Sequence, residues 1–406
     1  MKVDLLHYSA PPIVGGVESV ISHHASLMSK AGHRVRILAG RGLQTDPRIP
    51  FIQIPLLDSI NPEILSIKAE LDKGNLPPAF AEIVHRLSQC LEETITDTDC
   101  LIAHNVCSLH KNLALTAALW QLANQPSPPR LILWHHDLAW TTPRYSAELH
   151  PGYPWDLLRT DWPGAVQVVV SELRRRELAE LLGIPDRRIR AVPNGVDAHR
   201  FLGLGEQTRR IVDRLDLFSA EPLLLLPVRI TPRKNIELAL RVLAALSDHY
   251  PRSMLVVTGP LGPHNPNNEQ YFDCLRALRK DLNLEGRAFF LTEVSSGYLP
   301  DDVVAGIYRL ADALFLPSRE EGFGIPVLEA ALAGLPLFCT DIQPLRSLAG
   351  EHAVYFSPDA SPERVAAQVV ERLANDPIFS MRVHVRKNYF WEQIYRRSIA
   401  PLLENT

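Results

Sequence analysis

The sequence predicts an α/β protein of two domains, each built on a parallel sheet, and three observations point there. Its 406 residues exceed what one hydrophobic core usually serves. The chain opens as strand, glycine turn, helix, strand, which is how a parallel α/β sheet begins. That alternation pauses at a turn-rich stretch near the midpoint and then restarts.

Residues 3–8 form a short, mostly apolar run, followed by Pro11-Pro12 and Gly15-Gly16. Val17, Val20, Ile21, His24, Leu27, Met28 and Ala31 then recur at helical spacing until Gly32 closes the helix. Residues 34–40 read as the next strand, with further strands at 100–104, 130–135, 166–170 and 189–192 and helices in several of the gaps. Pro193, Asn194 and Gly195 carry strong turn chemistry, and Gly203 and Gly205 precede a charged helical stretch, so the boundary falls here. Strands resume at 223–229, 254–259, 288–291, 313–317, 336–340 and 353–356. Domains are expected over residues 1–195 and 196–387, with no low-complexity segment or short-period repeat.

Composition narrows the function. A chain that is 46% hydrophobic and 22% charged is ordinary for a globular protein. The net charge of −4 carries no long run of one sign, which removes the electrostatic argument for nucleic acid. Any anion site must be local. The five cysteines are odd in number and lack CxxC spacing, so they are expected to be reduced and mostly buried, with no zinc site. Strand-like residues begin at Val3, leaving no room for a signal peptide, and no apolar run approaches the roughly 20 residues of a membrane span. A cytoplasmic location is expected, and membrane association at a surface stays open.

Several groups can carry chemistry. Gly15-Gly16 lies between the first strand and the first helix, where backbone N–H groups can approach an anion or where glycine merely makes the turn. Arg229 and Lys234 lie at the end of the second domain's first strand, the edge of a parallel sheet where ligands bind, and two cations there suit a diphosphate. The strongest local signal is residues 317–329, PSREEGFGIPVLE. Gly322 and Gly324 let backbone approach a ligand, Pro326 suits a first helical turn, and Glu321 and Glu329 offer carboxylates to sugar hydroxyls. His136 follows the strand at 130–135 and can hydrogen-bond a sugar. Metal binding by His135, His136 and Asp137 is a poor fit, because adjacent strand side chains point to opposite faces.

These motifs in this order resemble the retaining glycosyltransferase family four, also called glycosyl transferases group 1. The resemblance runs from Gly15, Gly16, Val17 and Glu18 through Val170, Ser171 and Glu172, then residues 192–197, the 229–234 segment and the glutamate pair. It implies the GT-B fold, two facing Rossmann-like domains with the donor in an interdomain cleft, and a last helix, 388–406, that returns to the first domain. By position, Gly15 and Gly16, Arg229 and Lys234 then meet the donor diphosphate and Glu329 the ribose. Glu321, Gly322, Phe323, Gly324 and Ile325 hold the transferred sugar, Thr292 and Val294 border the base, and His136 sits beside the breaking bond.

The implied reaction moves a hexosyl unit, with retention, from a nucleoside-diphosphate sugar (UDP- or GDP-linked) to a hydroxyl, with no cofactor and no metal. Residues 140–163 are not explained by the shared motifs. There Trp140, Tyr145 and Trp155 alternate with Arg144 and Arg159, a mixture that suits a polar small-molecule or saccharide acceptor or else pins a long loop as a hydrophobic cluster. Two rivals remain. A nucleotide-sugar-binding protein without turnover conflicts with the intact set of His136, Arg229, Lys234, Glu321 and Glu329. A dinucleotide-dependent oxidoreductase conflicts with the opening turn, which lacks G-x-G-x-x-G spacing.

Overall fold

The computed structural model describes residues 1–261, 267–295 and 299–404. The chain divides into two compact units, Met1–Gly195 with Trp391–Thr406, and Val196–Phe390. Residues 388–390, expected in the returning segment, thus belong to the second unit.

The first unit is a seven-stranded sheet, β1 (Lys2–Ser9), β2 (Arg34–Arg41), β3 (Phe51–Gln53), β4 (Cys100–His104), β5 (Arg130–His135), β6 (Val166–Val169) and β7 (Ile189–Ala191). The order is β3-β2-β1-β4-β5-β6-β7 and every pairing is parallel. A sheet covered on both faces needs near-continuous apolar strands, and β1 and β4 are buried along almost their whole length. Among the polar residues buried in β1 (Asp4, His7 and Ser9), Asp4 is matched inside the sheet by Arg36 on β2 through two bonds of 2.8 and 2.6 Å. Strand β3 was not anticipated, since three residues give no readable alternation.

The returning segment supplies Trp391, Ile394, Ile399, Leu402 and Leu403 to the core shared by β1, β2 and the helix Gly16–Lys30. Gly195 is required by that packing: a Cβ there would lie 2.6 Å from the Trp391 ring. The Pro-Asn-Gly turn therefore serves tertiary packing as well as chain reversal.

The second unit is a six-stranded parallel sheet of β8 (Leu223–Leu226), β9 (Met254–Val257), β10 (Ala288–Phe290), β11 (Ala313–Leu316), β12 (Leu337–Thr340) and β13 (Ala353–Phe356), in the order β10-β9-β8-β11-β12-β13. The strand expected at 223–229 ends at Leu226, because Pro227 has no N–H for the ladder. The loop carrying Arg229 thereby starts earlier and leaves the sheet. In each unit the chain builds outward on one side, then crosses to the other, so β1 and β4, and β8 and β11, flank a switch point whose carboxyl ends form a ligand-binding crevice.

Candidate donor and acceptor sites

In the second unit the loops after β8 and β11 open at the switch point and bring together residues distant in sequence. Lys234 ends a 3-10 turn, Pro232–Lys234, and its Nζ donates to Glu321 Oε1 at 2.5 Å. Both side chains are nearly sealed, 9% and 7% exposed. The hydroxyl of Ser318 donates to the same carboxylate at 2.7 Å, and Arg319 N–H donates to the Arg233 carbonyl at 2.8 Å, so the two loops are also tied through backbone. A desolvated ion pair needs such added hydrogen bonds to offset its lost hydration.

Gly324 is the N-cap of the helix Ile325–Leu332, with φ +106, a conformation open to glycine. Pro326 occupies the first turn, where its missing N–H costs nothing. No side chain caps this helix start, while Phe323 and Ile325 are exposed beside it. Glu329 follows one turn later, and its carboxylate accepts from the Tyr308 hydroxyl at 2.6 Å. Burial, then the bond to Glu329, pushes the Tyr308 phenol far up, so it remains a donor at any physiological pH.

These elements wall a cavity of about 830 Å³ whose lining includes Arg229, Thr258, Tyr308, Ile325 and Glu329. Arg229 is exposed at its edge. Gly259 faces the same space, where a Cβ would lie 2.1 Å from the Val228 carbonyl oxygen, so only glycine lets the loops after β8 and β9 touch. The size falls in the range of small-molecule sites. The Lys234–Glu321 pair, Thr292 and Val294 are not part of that lining. Thr292 lies in the 3-10 turn Leu291–Glu293 after β10, the outermost strand on that side, and Val294 packs on the domain core.

Sequence reasoning missed Tyr308. It sits on the helix Asp301–Leu310, whose apolar periodicity reads simply as core, and only the tertiary fold brings its hydroxyl to Glu329. That helix is anchored by Arg382, which donates to the carbonyls of Arg309, Leu310 and Ala311 at its C-terminal end.

In the first unit, Gly15 caps and Gly16 opens the helix Gly16–Lys30. Glu18 folds back over this start, accepts from the Ser9 hydroxyl at 2.6 Å, and would lie 2.0 Å from a Cβ on Gly15. The glycine is thus explained by the chain's own carboxylate, which faces the positive helix end.

His136 follows β5, its backbone N–H held by Asn105 Oδ1 at 2.7 Å, and Asn105 itself adopts φ 60 at the end of β4. The His136 Nε2 lies 3.2 Å from His104 Nδ1. Burial, then the neighbouring His7 and His135, lower the His136 pKa to about 3, so the ring is neutral and can act as a hydrogen-bond partner but not as an imidazolium. His135 turns away to Gln167 at 2.8 Å. One group with metal-ligand proximity does exist among the described residues: Asp72, His110 and Glu148. Its centre is already served by a cation of the chain, since Lys68 Nζ reaches Asp72 at 2.6 Å and Glu148 at 2.9 Å.

The aromatic segment requires a correction. Trp155, expected to face an acceptor, is 4% exposed and belongs to the core with Trp162, so its ring is unavailable to a sugar. Trp140 and Tyr145 are half-buried against that core. Arg159 stacks on Trp140 at 4.2 Å while bonding Asp156, and Arg144 lies over Tyr145 at 4.6 Å. Arg159 is therefore committed to its own loop, whereas Arg144 is exposed with its guanidinium over the Tyr145 ring. The thiols are free and mostly buried as expected: Cys100, Cys107 and Cys339 are buried, Cys90 is intermediate and Cys274 is exposed.

The sequence profile described as glycosyl transferases group 1 matches residues 207–389, and that of glycosyltransferase family 4 matches residues 14–200. The chain belongs to the group 1 glycosyltransferases, with the two parallel-sheet α/β units of the GT-B fold. The mannosylfructose-phosphate synthase of Agrobacterium fabrum is 29% identical over 185 residues, which span 45% of this chain but only 39% of that protein. The mannosylglucosylglycerate synthase of Thermotoga maritima aligns at 24% identity over 100% of this chain and 95% of its own length. Among solved structures, sucrose-phosphate synthase from Thermosynechococcus elongatus is 16% identical with a TM-score of 0.38, covering 99% of this chain and 98% of that one.

Proposed function

We propose that the chain transfers a hexosyl unit, with retention, from a UDP- or GDP-linked sugar to a hydroxyl of a polar acceptor, without a bound metal. The observation that carries this reading is the second unit's switch point. There a cavity edged by Arg229 and Glu329 adjoins the uncapped helix start behind Gly324, and the loops after β8 and β11 are tied by the buried Lys234–Glu321 pair outside that lining. Breaking a sugar–phosphate bond builds negative charge on the departing diphosphate, which preorganised donors stabilise. Arg229, Lys234 and the helix start fill that role, Glu329 takes the ribose with Tyr308 orienting it, and Glu321 holds the sugar. Neutral His136 assists as a hydrogen-bond partner. The acceptor hydroxyl enters on the face the diphosphate leaves, and a phosphate oxygen accepts its proton. Relatives named for mannosyl products support a hexosyl unit.

The test is to supply UDP- and GDP-sugars with a panel of sugars, sugar acids and lipid acceptors, with and without EDTA, and to follow free nucleoside diphosphate and the anomeric configuration of the product. Transfer with retention that survives chelation is expected. Donor binding without turnover across the panel, inversion, or full loss with EDTA reversed by one divalent ion overturns the corresponding part of the proposal.

A further inference from the structure

A second cavity, of about 500 Å³, lies in the first unit and contains none of the residues assigned to donor or acceptor. Its walls come from three places in the chain. The first turn of the helix Glu172–Leu182 contributes Arg175, the 3-10 turn Asp186–Arg188 with edge strand β7 contributes Arg187 and Arg190, and the returning segment contributes Arg397 and Ser398. Four guanidinium groups thus line one concavity with one carboxylate in the wall, Glu172, and a second, Asp186, 3.8 Å from Arg175, in a chain whose net charge is −4. Like charges are gathered at such density only at an electrostatic cost, which an anion would remove.

Two further features point to a ligand. Arg175 bonds Glu172 at 2.7 Å, yet its Nε is buried with no acceptor, so the guanidinium is only partly satisfied. Arg187 and Arg190 are exposed, and no ion pair is formed by either among the described residues. Arg397 and Ser398 are carried on a π-helical turn, Tyr395–Ile399, a rare geometry that recurs at functional sites. At the two ends of the turn Tyr395 and Ile399 are locked in the core while Arg396 is exposed, so the turn presents Arg397 and Ser398 from a fixed base.

We infer that this pocket binds a phosphate-bearing ligand through Arg175, Arg187, Arg190 and Arg397. Guanidinium forks match phosphate oxygens bidentately, and the volume admits a ligand larger than the bare ion. The same chemistry is offered by a soluble phosphate ester and by the headgroup of an anionic phospholipid.

The experiment uses the full chain and two probes, inorganic pyrophosphate followed by titration calorimetry and vesicles of phosphatidylcholine with or without phosphatidylglycerol followed by co-sedimentation. Variants are Arg187→Glu, Arg190→Glu and the milder Arg190→Gln, all at exposed positions, with Arg229→Ala to report separately on the donor cavity. Each first-unit variant is expected to weaken binding about tenfold or more, in a salt-dependent way, while Arg229→Ala leaves this component unchanged. Pyrophosphate binding assigns a soluble ligand; binding only to phosphatidylglycerol vesicles assigns a lipid headgroup. Binding that persists in both charge-reversal variants, or no binding of either probe, overturns the inference. Loss of pyrophosphate binding in Arg229→Ala alone also overturns it, because the donor cavity then accounts for the signal.

Discussion

Replacing Lys234 by Met tests whether the buried ion pair holds the loops after β8 and β11 together. The partners are 9% and 7% exposed and 2.5 Å apart, so the substitution strands Glu321 in a site where water cannot replace the lost ammonium. Removing one member of such a pair costs about 3–5 kcal/mol, whereas removing both together costs much less because no uncompensated charge remains. Ser318 moderates the loss by donating one hydrogen bond to the stranded carboxylate. The expectation is therefore about 3 kcal/mol for Lys234→Met, a comparable loss for Glu321→Gln, and a double variant closer to wild type than either sum implies. With two units, one unfolding curve can mix two transitions, so the readout is native-state hydrogen exchange at the β8 and β11 amides alongside urea unfolding. Costs under about 1 kcal/mol that simply add in the double variant would refute the reasoning, since they describe an exposed pair.

Acid should destabilise the first unit. Burial presses His7 and His135 down to about 4 and His24 and His136 to about 3. An unfolded histidine takes its proton near 6.5, so between there and about 3 the unfolded chain holds more protons. Stability is then complete above about pH 6.5 and falls as pH drops, by on the order of 3 kcal/mol for each such histidine. Fluorescence-detected unfolding across pH 4 to 7 checks this, and a flat profile would contradict it. Glu329→Ala is expected to weaken donor binding by about 1.5 to 3 kcal/mol and Tyr308→Phe by less, while Glu321→Ala mainly lowers turnover; donor titrations and kcat separate them. Trp155→Ala should lose about 3–5 kcal/mol of stability with KM for the acceptor nearly unchanged among molecules still folded, and a large rise in KM without destabilisation would return Trp155 to the acceptor site.

The legible parts were those governed by local rules. Apolar runs such as Leu223–Leu226 mark strands because a doubly covered parallel sheet has no polar face, and the pause at Pro193, Asn194 and Gly195 marks the change of unit. Residues 317–329 were readable because the φ of Gly324 and the placement of Pro326 are backbone requirements written directly into residue type. Strand ends were read too long at 223–229, where a proline without an N–H stops the ladder.

Trp140 and Trp155 show where this reading stops. Composition is the same whether an aromatic faces a sugar or fills a core, and the outcome depends on which neighbours the remaining chain supplies, here the core cluster that includes Trp155 and the His150 ring 5.2 Å from it. The sequence by itself determined the family, the two parallel sheets and the glycine-rich helix start, all of which follow from residue type and spacing within short windows. Only the tertiary structure decided that Lys234 meets Glu321, that Tyr308 holds Glu329, and that four arginines from three segments share one cavity. Those are contacts between residues many positions apart, set by strand order and packing rather than by any local pattern.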